Sequence, residues 1–394
     1  MVTSPGRHRR TRVAVTQAKV APERMLSNPR RLAAILLGLV LILGVGFGIV
    51  SSVKDSIGPA PVTVHGYIGS EKAPFFADPR VVAALKRGGF TVDARTAGSR
   101  EIATKDFTGI DFAFPAGVPA AEKIRREHPG TQSFVPFFTP MAIATWQPIV
   151  DLLTKAGVAH QTSGGYTTLD MTSFMALVAK DTRWKDLPGN TAYPVNKSVL
   201  VTSTDVRTSN SAAMYLSILS YVTNANNVVD TDQQAATVLP QIAPLFLRQG
   251  FVEASSAGPF DDYLVQGMGK APMVMIYEGQ FLARAAANDG SITPQMTLMY
   301  PLPTILSKHT LVSLTPAGAR LGQFLLDDPE IRGLALEFGF RTSDTAGFAA
   351  FVKAHNLGAP GTLLDVIDPP TFERLEAMIT ALDKLYATSS TTQP

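Results

Sequence analysis

The chain has 394 residues, 45% of them apolar and 17% charged, which is ample for packed cores in more than one small domain and excludes a disordered chain. With no cysteine, it has no disulfide, thiolate nucleophile, Cys-ligated zinc, iron–sulfur cluster or lipid-modified cysteine anchor. Of 35 Lys+Arg and 32 Asp+Glu, residues 1–31 hold eight and one, so 27 basic and 31 acidic residues remain beyond them, and this mildly acidic remainder argues against a nucleic-acid partner.

Residues 1–31 read as a basic cytoplasmic tail. From Leu32 to Val53 run 22 uncharged residues, long enough to cross a hydrocarbon core of roughly 30 Å as a helix. A buried core helix is rarely apolar on every face for this length. A cleaved signal would carry an apolar stretch of only about 7 to 15 residues and an Ala-x-Ala exit, so an uncleaved transmembrane anchor is expected over 32–53. The positive flank precedes it, which places the N-terminus in the cytoplasm and the main body outside the cell membrane. Residues 54–61 form a linker ending in Gly58-Pro-Ala-Pro61.

Beyond the linker, apolar strand-like runs alternate with helix-like segments, the mark of βαβ units and a largely parallel sheet. Val62–Tyr67 reads as the first strand. A helix follows, capped by Asp78 with Pro79 at its first position and ended by Gly88-Gly89. Strands are expected at Thr91–Ala94, Asp111–Phe114 and Ser133–Phe137, with a helix at Pro119–Glu127. At Thr139-Pro-Met141 the chain turns into a second block. Its helices fall at Pro148–Ala156, Ser173–Ala179, Ser211–Asn224, Ala235–Arg248 and Gln280–Ala287; its strands fall at Ser198–Thr202, Met273–Tyr277 and Met296–Tyr300. From Pro316 helices dominate, the last, Thr371–Tyr386, being amphipathic through Leu375, Met378, Ile379 and Leu382. Residues 388–394 read as a flexible polar tail.

Ligands of open parallel sheets collect beyond the carboxyl ends of strands, where helix N-termini present free N–H groups. Gly69-Ser70 follows the first strand. Thr208-Ser-Asn-Ser211 follows a second-block strand directly before a helix; its polar side chains suit ligand oxygens, and plain helix capping explains one of them but not the run. Glu278 follows the strand ending at Tyr277, and either points into a cleft or complements the helix dipole. Tyr277, like Tyr67 and Trp146, either stacks on a ligand or packs. Arg95, Arg100 and Arg207 are rim candidates for an anion, or solvated surface.

The order and spacing of four segments carry a likeness: Gly66-Tyr-Ile-Gly-Ser-Glu-Lys72; Phe138-Thr-Pro-Met-Ala-Ile-Ala-Thr-Trp146; Thr202-Ser-Thr-Asp-Val-Arg-Thr-Ser-Asn-Ser211; and Ile276-Tyr-Glu278 followed by Tyr300-Pro-Leu-Pro303 and Glu337-Phe-Gly-Phe-Arg341. Over about residues 60–387 the chain resembles the bacterial extracellular solute-binding protein superfamily with the type II periplasmic-binding fold, in its membrane-anchored actinobacterial form. The resemblance implies an α/β, two-lobed fold with an N-terminal transmembrane helix: residues 62–137 plus 303–387 as lobe 1, 142–295 as lobe 2, and crossings near Thr139–Ala142 and Met296–Pro303. It implies capture of a small polar molecule between the lobes and possible delivery to an ABC-type permease. A cell-envelope sensor or scaffold working through protein contacts is the alternative. The ligand-binding candidates are then Gly69, Ser70, Thr139, Thr208, Ser209, Asn210, Tyr277 and Glu278.

Enzyme signatures are missing from the sequence. Six histidines stand singly, without H-E-x-x-H or any paired metal spacing, and no G-x-S-x-G elbow, phosphate loop or EF-hand occurs. No catalytic residue, metal or cofactor is expected.

Overall fold

Strand β1 (Val62–Gly69) buries Val64 and Ile68 on one face and is flanked in parallel by β2 (Phe90–Ala97) and β3 (Phe112–Phe114). The helix between β1 and β2, Pro79–Arg87, starts as the sequence predicts: the Asp78 carboxylate accepts from Arg80 N at 2.7 Å, and Pro79 occupies the first turn. The computed structural model describes residues 61–249, 255–362 and 365–390, and Pro61 onward forms one compact unit. The predicted tail at 1–31, span at 32–53 and most of the linker lie outside the described residues. Among the described residues no helix is long and apolar enough to cross a membrane.

The sheet is mixed rather than largely parallel, because two long strands pass between its two halves in opposite directions. Strand β4 (Gln132–Trp146) pairs antiparallel through Gln132–Pro140 with β9 (Thr304–Ser313), beside β3. Its second half, Met141–Trp146, pairs antiparallel with β7 (Met273–Tyr277) and β8 (Met296–Leu302). β8 continues in parallel to β6 (Thr167–Asp170), which pairs with β5 (Ala159–Gln161), while the short β10 (Val366–Ile367) joins the start of β9. The register of β4 slips between Phe134 and Phe137, at Pro136, which has no N–H to offer the ladder. The expected turn at Thr139-Pro-Met141 is therefore an uninterrupted crossing strand. The expected strand at Ser198–Thr202 reduces to two isolated bridges, from Ser198 to Arg183 and from Thr202 to Val274.

Two main apolar cores follow. One, around β1, β3 and the first half of β4, gathers Phe75, Phe112, Phe114, Phe137, Leu321, Leu325, Ile331 and Phe340. The other, around the second half of β4, takes in Trp146, Phe174, Tyr215, Phe246, Met275 and Tyr300. The C-terminal region divides between them. Leu321, Leu325, Ile331, Leu334 and Phe340 join the first core, whereas Leu336, Phe348, Phe351, Leu375, Met378, Ile379 and Leu382 join the second. The stripe of helix Phe372–Ser390 lies against helix Asp232–Leu247, whereas Phe372 at its start reaches the side of helix Val118–Glu127. That helix thus straps both halves together.

Candidate functional site

The carboxyl end of β1 runs into a single 3-10 turn, Ser70–Lys72, which carries two charged side chains into the seam between the halves. A Cβ on Gly69 would sit 2.3 Å from the Glu71 carboxylate, so a larger residue there would displace the Glu71 side chain. Lys72 and His309 of β9 are wholly buried, and Glu71 nearly so. Lys72 Nζ pairs with Glu71, lies 3.0 Å from His309 Nδ1, and sits 4.8 Å above the Phe114 ring. His309 Nδ1 thus stands between the Lys72 ammonium at 3.0 Å, a donor, and the Glu71 carboxylate at 3.4 Å, an acceptor, while Nε2 has no hydrogen-bond partner among the described residues.

These groups tune one another. Burial works to raise the Glu71 pKa, yet the adjoining Lys72 charge holds the carboxyl well below the usual carboxylate range. Burial lowers the Lys72 pKa, with Glu71 opposing. Burial and then the Lys72 charge push His309 down to about 4, so it is neutral at pH 7. Around the imidazole stand Phe137, Phe340 and Tyr277, with ring centroids 5.4, 5.1 and 6.3 Å away. The interior of the seam is thus filled by the protein's own side chains.

At its edge a pocket of about 490 Å³ remains, with Ser70, Glu71, Tyr277, Gln280, Phe338 and Phe340 among its lining. Ser256, Phe260 and Asp261 close its far side. Gln280 Oε1 accepts from Tyr277 N at 3.1 Å and from Ser256 Oγ at 3.0 Å, and its amide nitrogen has no partner among the described residues. The wall behind it is tight: Gly279 and Gly339 approach so closely that a Cβ on Gly339 would lie 2.3 Å from Gly279 O.

Of the eight candidates, the structure places Ser70 and Tyr277 on this pocket. Asn210 lies behind it. Its Nδ2 donates to the Tyr277 hydroxyl at 3.0 Å, and its Oδ1 would meet a Cβ at Gly117 at 2.8 Å. Burial, followed by the Glu71 charge, raises the Tyr277 pKa. Ser209 Oγ bonds Ser211 Oγ at 3.0 Å and caps no helical N–H, although the helix Asn210–Thr223 begins after it; Thr208 is exposed. Thr139 is buried in the crossing of β4, where its Oγ1 accepts from Gly279 N at 3.0 Å.

Glu278 faces inward rather than toward the pocket. Its Oε2 accepts from Arg341 Nε and its Oε1 from Arg341 Nη2, both at 2.7 Å, and Oε1 also accepts from the Tyr300 hydroxyl at 2.7 Å. Burial, then the Glu278 charge, sets the Tyr300 pKa well above its ordinary value. Arg100 and Arg207 are likewise engaged, Arg100 with Glu376 and the Val206 carbonyl, Arg207 with Asp205. Trp146 donates to Ala271 O at 3.0 Å and packs on Tyr263.

Residues Glu71, Lys72 and His309 were missed as a group. Glu71 and Lys72 stand directly after Ser70, a signal that was available; His309 is 237 positions from Lys72, and no local pattern joins them. Among the described residues no cluster of His, Asp and Glu suits a metal ion.

No protein-family model and no curated protein sequence matches the chain. Solved structures similar to it include the sulfate-binding protein SubI from Mycobacterium tuberculosis H37Rv, 14% identical, covering 83% of this chain and 99% of that one with a TM-score of 0.46. They also include the periplasmic binding protein AfuA from Actinobacillus pleuropneumoniae, solved with fructose-6-phosphate, at 9% identity, 84% and 99% coverage and a TM-score of 0.49. A third is the periplasmic molybdate-binding protein of Azotobacter vinelandii, at 13% identity, 71% and 100% coverage and a TM-score of 0.41. Periplasmic solute-binding proteins are thus among the structures this chain is similar to, and the similarity concerns the course of the chain, not what it binds.

Proposed function

We propose that the chain is a solute-binding protein that holds a small polar organic molecule in the pocket between the β1 turn and the start of helix Glu278–Ala287. One observation supports the reading above the rest: a concave site of about 490 Å³ at strand ends, walled by aromatic rings and furnished with Ser70, Glu71 and Gln280. In this proposal residues 32–53 anchor the body outside the cell, a permease receives the ligand, and no bond is made or broken. Closure turns on the crossings at Thr139–Ala142 and Met296–Pro303, and the ligand favours the closed form only through its extra affinity for it.

The filled interior of the seam favours a second reading, in which the same body serves as an envelope sensor or scaffold through protein contacts. Thermal unfolding of the full chain in detergent, screened against sugars, oxyanions, amino acids and short peptides, separates the two. Solute binding predicts stabilisation of about 2.7 kcal/mol at a hundredfold the dissociation constant. A flat response across all four classes would reject it.

A further inference from the structure

A second pocket, also of about 490 Å³, opens at the other end of β7, where Thr202, Gln249 and Pro272 meet. β7 leads from this site to Tyr277, so the two pockets are separated by roughly 13 Å of strand. Its charge is unlike that of the rest of the body. Among the described residues, Arg183, Lys197, Arg248 and Lys270 line it against the one lining carboxylate of Asp181, although beyond residue 31 acidic residues outnumber basic ones.

That carboxylate is shared. Arg248 Nη1 lies 2.6 Å from Asp181 Oδ1, and Arg183 Nη2 lies 3.7 Å from Oδ2. Among the described residues Lys197 has only the Gly269 carbonyl at 3.5 Å, and Lys270 has Asp262 at 4.0 Å, outside the lining. Two guanidiniums and two ammoniums therefore line the pocket against the two carboxylates of Asp181 and Asp262, an excess of two positive charges, and forked guanidiniums match tetrahedral oxyanions. Leu200 supplies an apolar wall backed by the buried Trp184 and Pro272, and the volume exceeds what a lone oxyanion fills.

We infer that this pocket binds a phosphate-bearing organic molecule, with the phosphate at the cations and the organic part against Leu200. It is a site separate from the Tyr277 pocket and its occupancy does not depend on solute capture there.

The test uses the full chain in detergent, with inorganic pyrophosphate as probe and sodium chloride at matched ionic strength as control. Pyrophosphate is expected to raise the unfolding temperature above the chloride control, and Arg183→Gln with Lys197→Gln to weaken its binding by roughly tenfold or more. Lys197→Glu alone serves as a second variant, because that side chain's one carbonyl contact leaves little to lose on folding. A response equal to chloride, or a shift unchanged in both variants, overturns the proposal. Sedimentation with phosphatidic acid vesicles, compared with phosphatidylcholine vesicles, then tells the source of the phosphate. Binding that needs Arg183 and Lys197 points to a lipid headgroup; pyrophosphate binding without vesicle binding points to a free solute.

Discussion

Arg341 and Glu278, 63 positions apart, form a two-pronged ion pair in which both N–H···O distances are 2.7 Å and both side chains are buried. The guanidinium also reaches the Pro360 carbonyl at 2.7 Å and lies 4.1 Å from the Phe348 ring, while its own backbone exchanges hydrogen bonds with Phe138 of β4. One residue thus joins the crossing strand, the start of helix Glu278–Ala287 and the C-terminal region. Replacing it leaves a carboxylate buried with only the Tyr300 hydroxyl. Arg341→Ala is expected to cost about 3 to 5 kcal/mol in urea unfolding, and Glu278→Gln combined with Arg341→Met much less, because no bare charge then remains. Equal losses in the two variants would show that the charge itself is not what matters.

The Lys72–His309 contact predicts an acid-sensitive fold. His309 has a folded pKa of about 4 against an ordinary 6.5, so between these values the unfolded chain binds more protons than the folded one. Stability therefore falls as pH drops from 6.5 toward 4, by up to about 3 kcal/mol for a shift of this size. Glu71, whose pKa is depressed, adds a further loss below the ordinary carboxylate pKa of 4.5. Urea midpoints measured from pH 7 to pH 4 check this, with His309→Asn expected to flatten the upper part of the slope. An unchanged slope in that variant would assign the acid sensitivity to other groups.

Local chemistry made much of the fold legible. Asp78-Pro79 announced a helix start that the structure keeps, and the apolar run Met273–Tyr277 is a strand at those same residues. β9 escaped notice because its central position buries both faces, including the polar Ser307, His309 and Thr310, so it shows neither alternation nor a purely apolar run. The site was legible only in part. Ser70 and Tyr277 follow from the rule about strand ends, but the partner of Glu278 lies 63 residues away and that of Lys72 lies 237 away, and no spacing rule links such positions.

The pocket wall at Gly339 is predicted to tolerate no side chain. Its φ is +74, and an added Cβ would lie 2.3 Å from a backbone oxygen that cannot swing away. Gly89 is the matched control, with φ +84 and open space around the added atom. Gly89→Ala is expected to cost about 1 to 2 kcal/mol, from the left-handed backbone alone. Gly339→Ala should lose clearly more in the same denaturation series, since backbone must shift as well. If the two substitutions cost the same, the close approach of Gly279 and Gly339 carries no energetic weight.

Ser70 offers a way to test the pocket without disturbing what lies behind it. It is exposed on the rim, whereas Asn210, Thr139 and Glu278 are buried, so their removal would confound binding with folding. An indole at this position fills the mouth of the pocket. Ser70→Trp should keep its ligand-free stability within about 0.5 kcal/mol of the parent, as surface changes generally do, while losing the ligand-induced rise in unfolding temperature. Ser70→Ala removes one hydroxyl and should weaken the same response by roughly 1 kcal/mol, about fivefold in affinity. Because Ser70 borders the open pocket, a full response in the tryptophan variant would place the bound molecule elsewhere on the body.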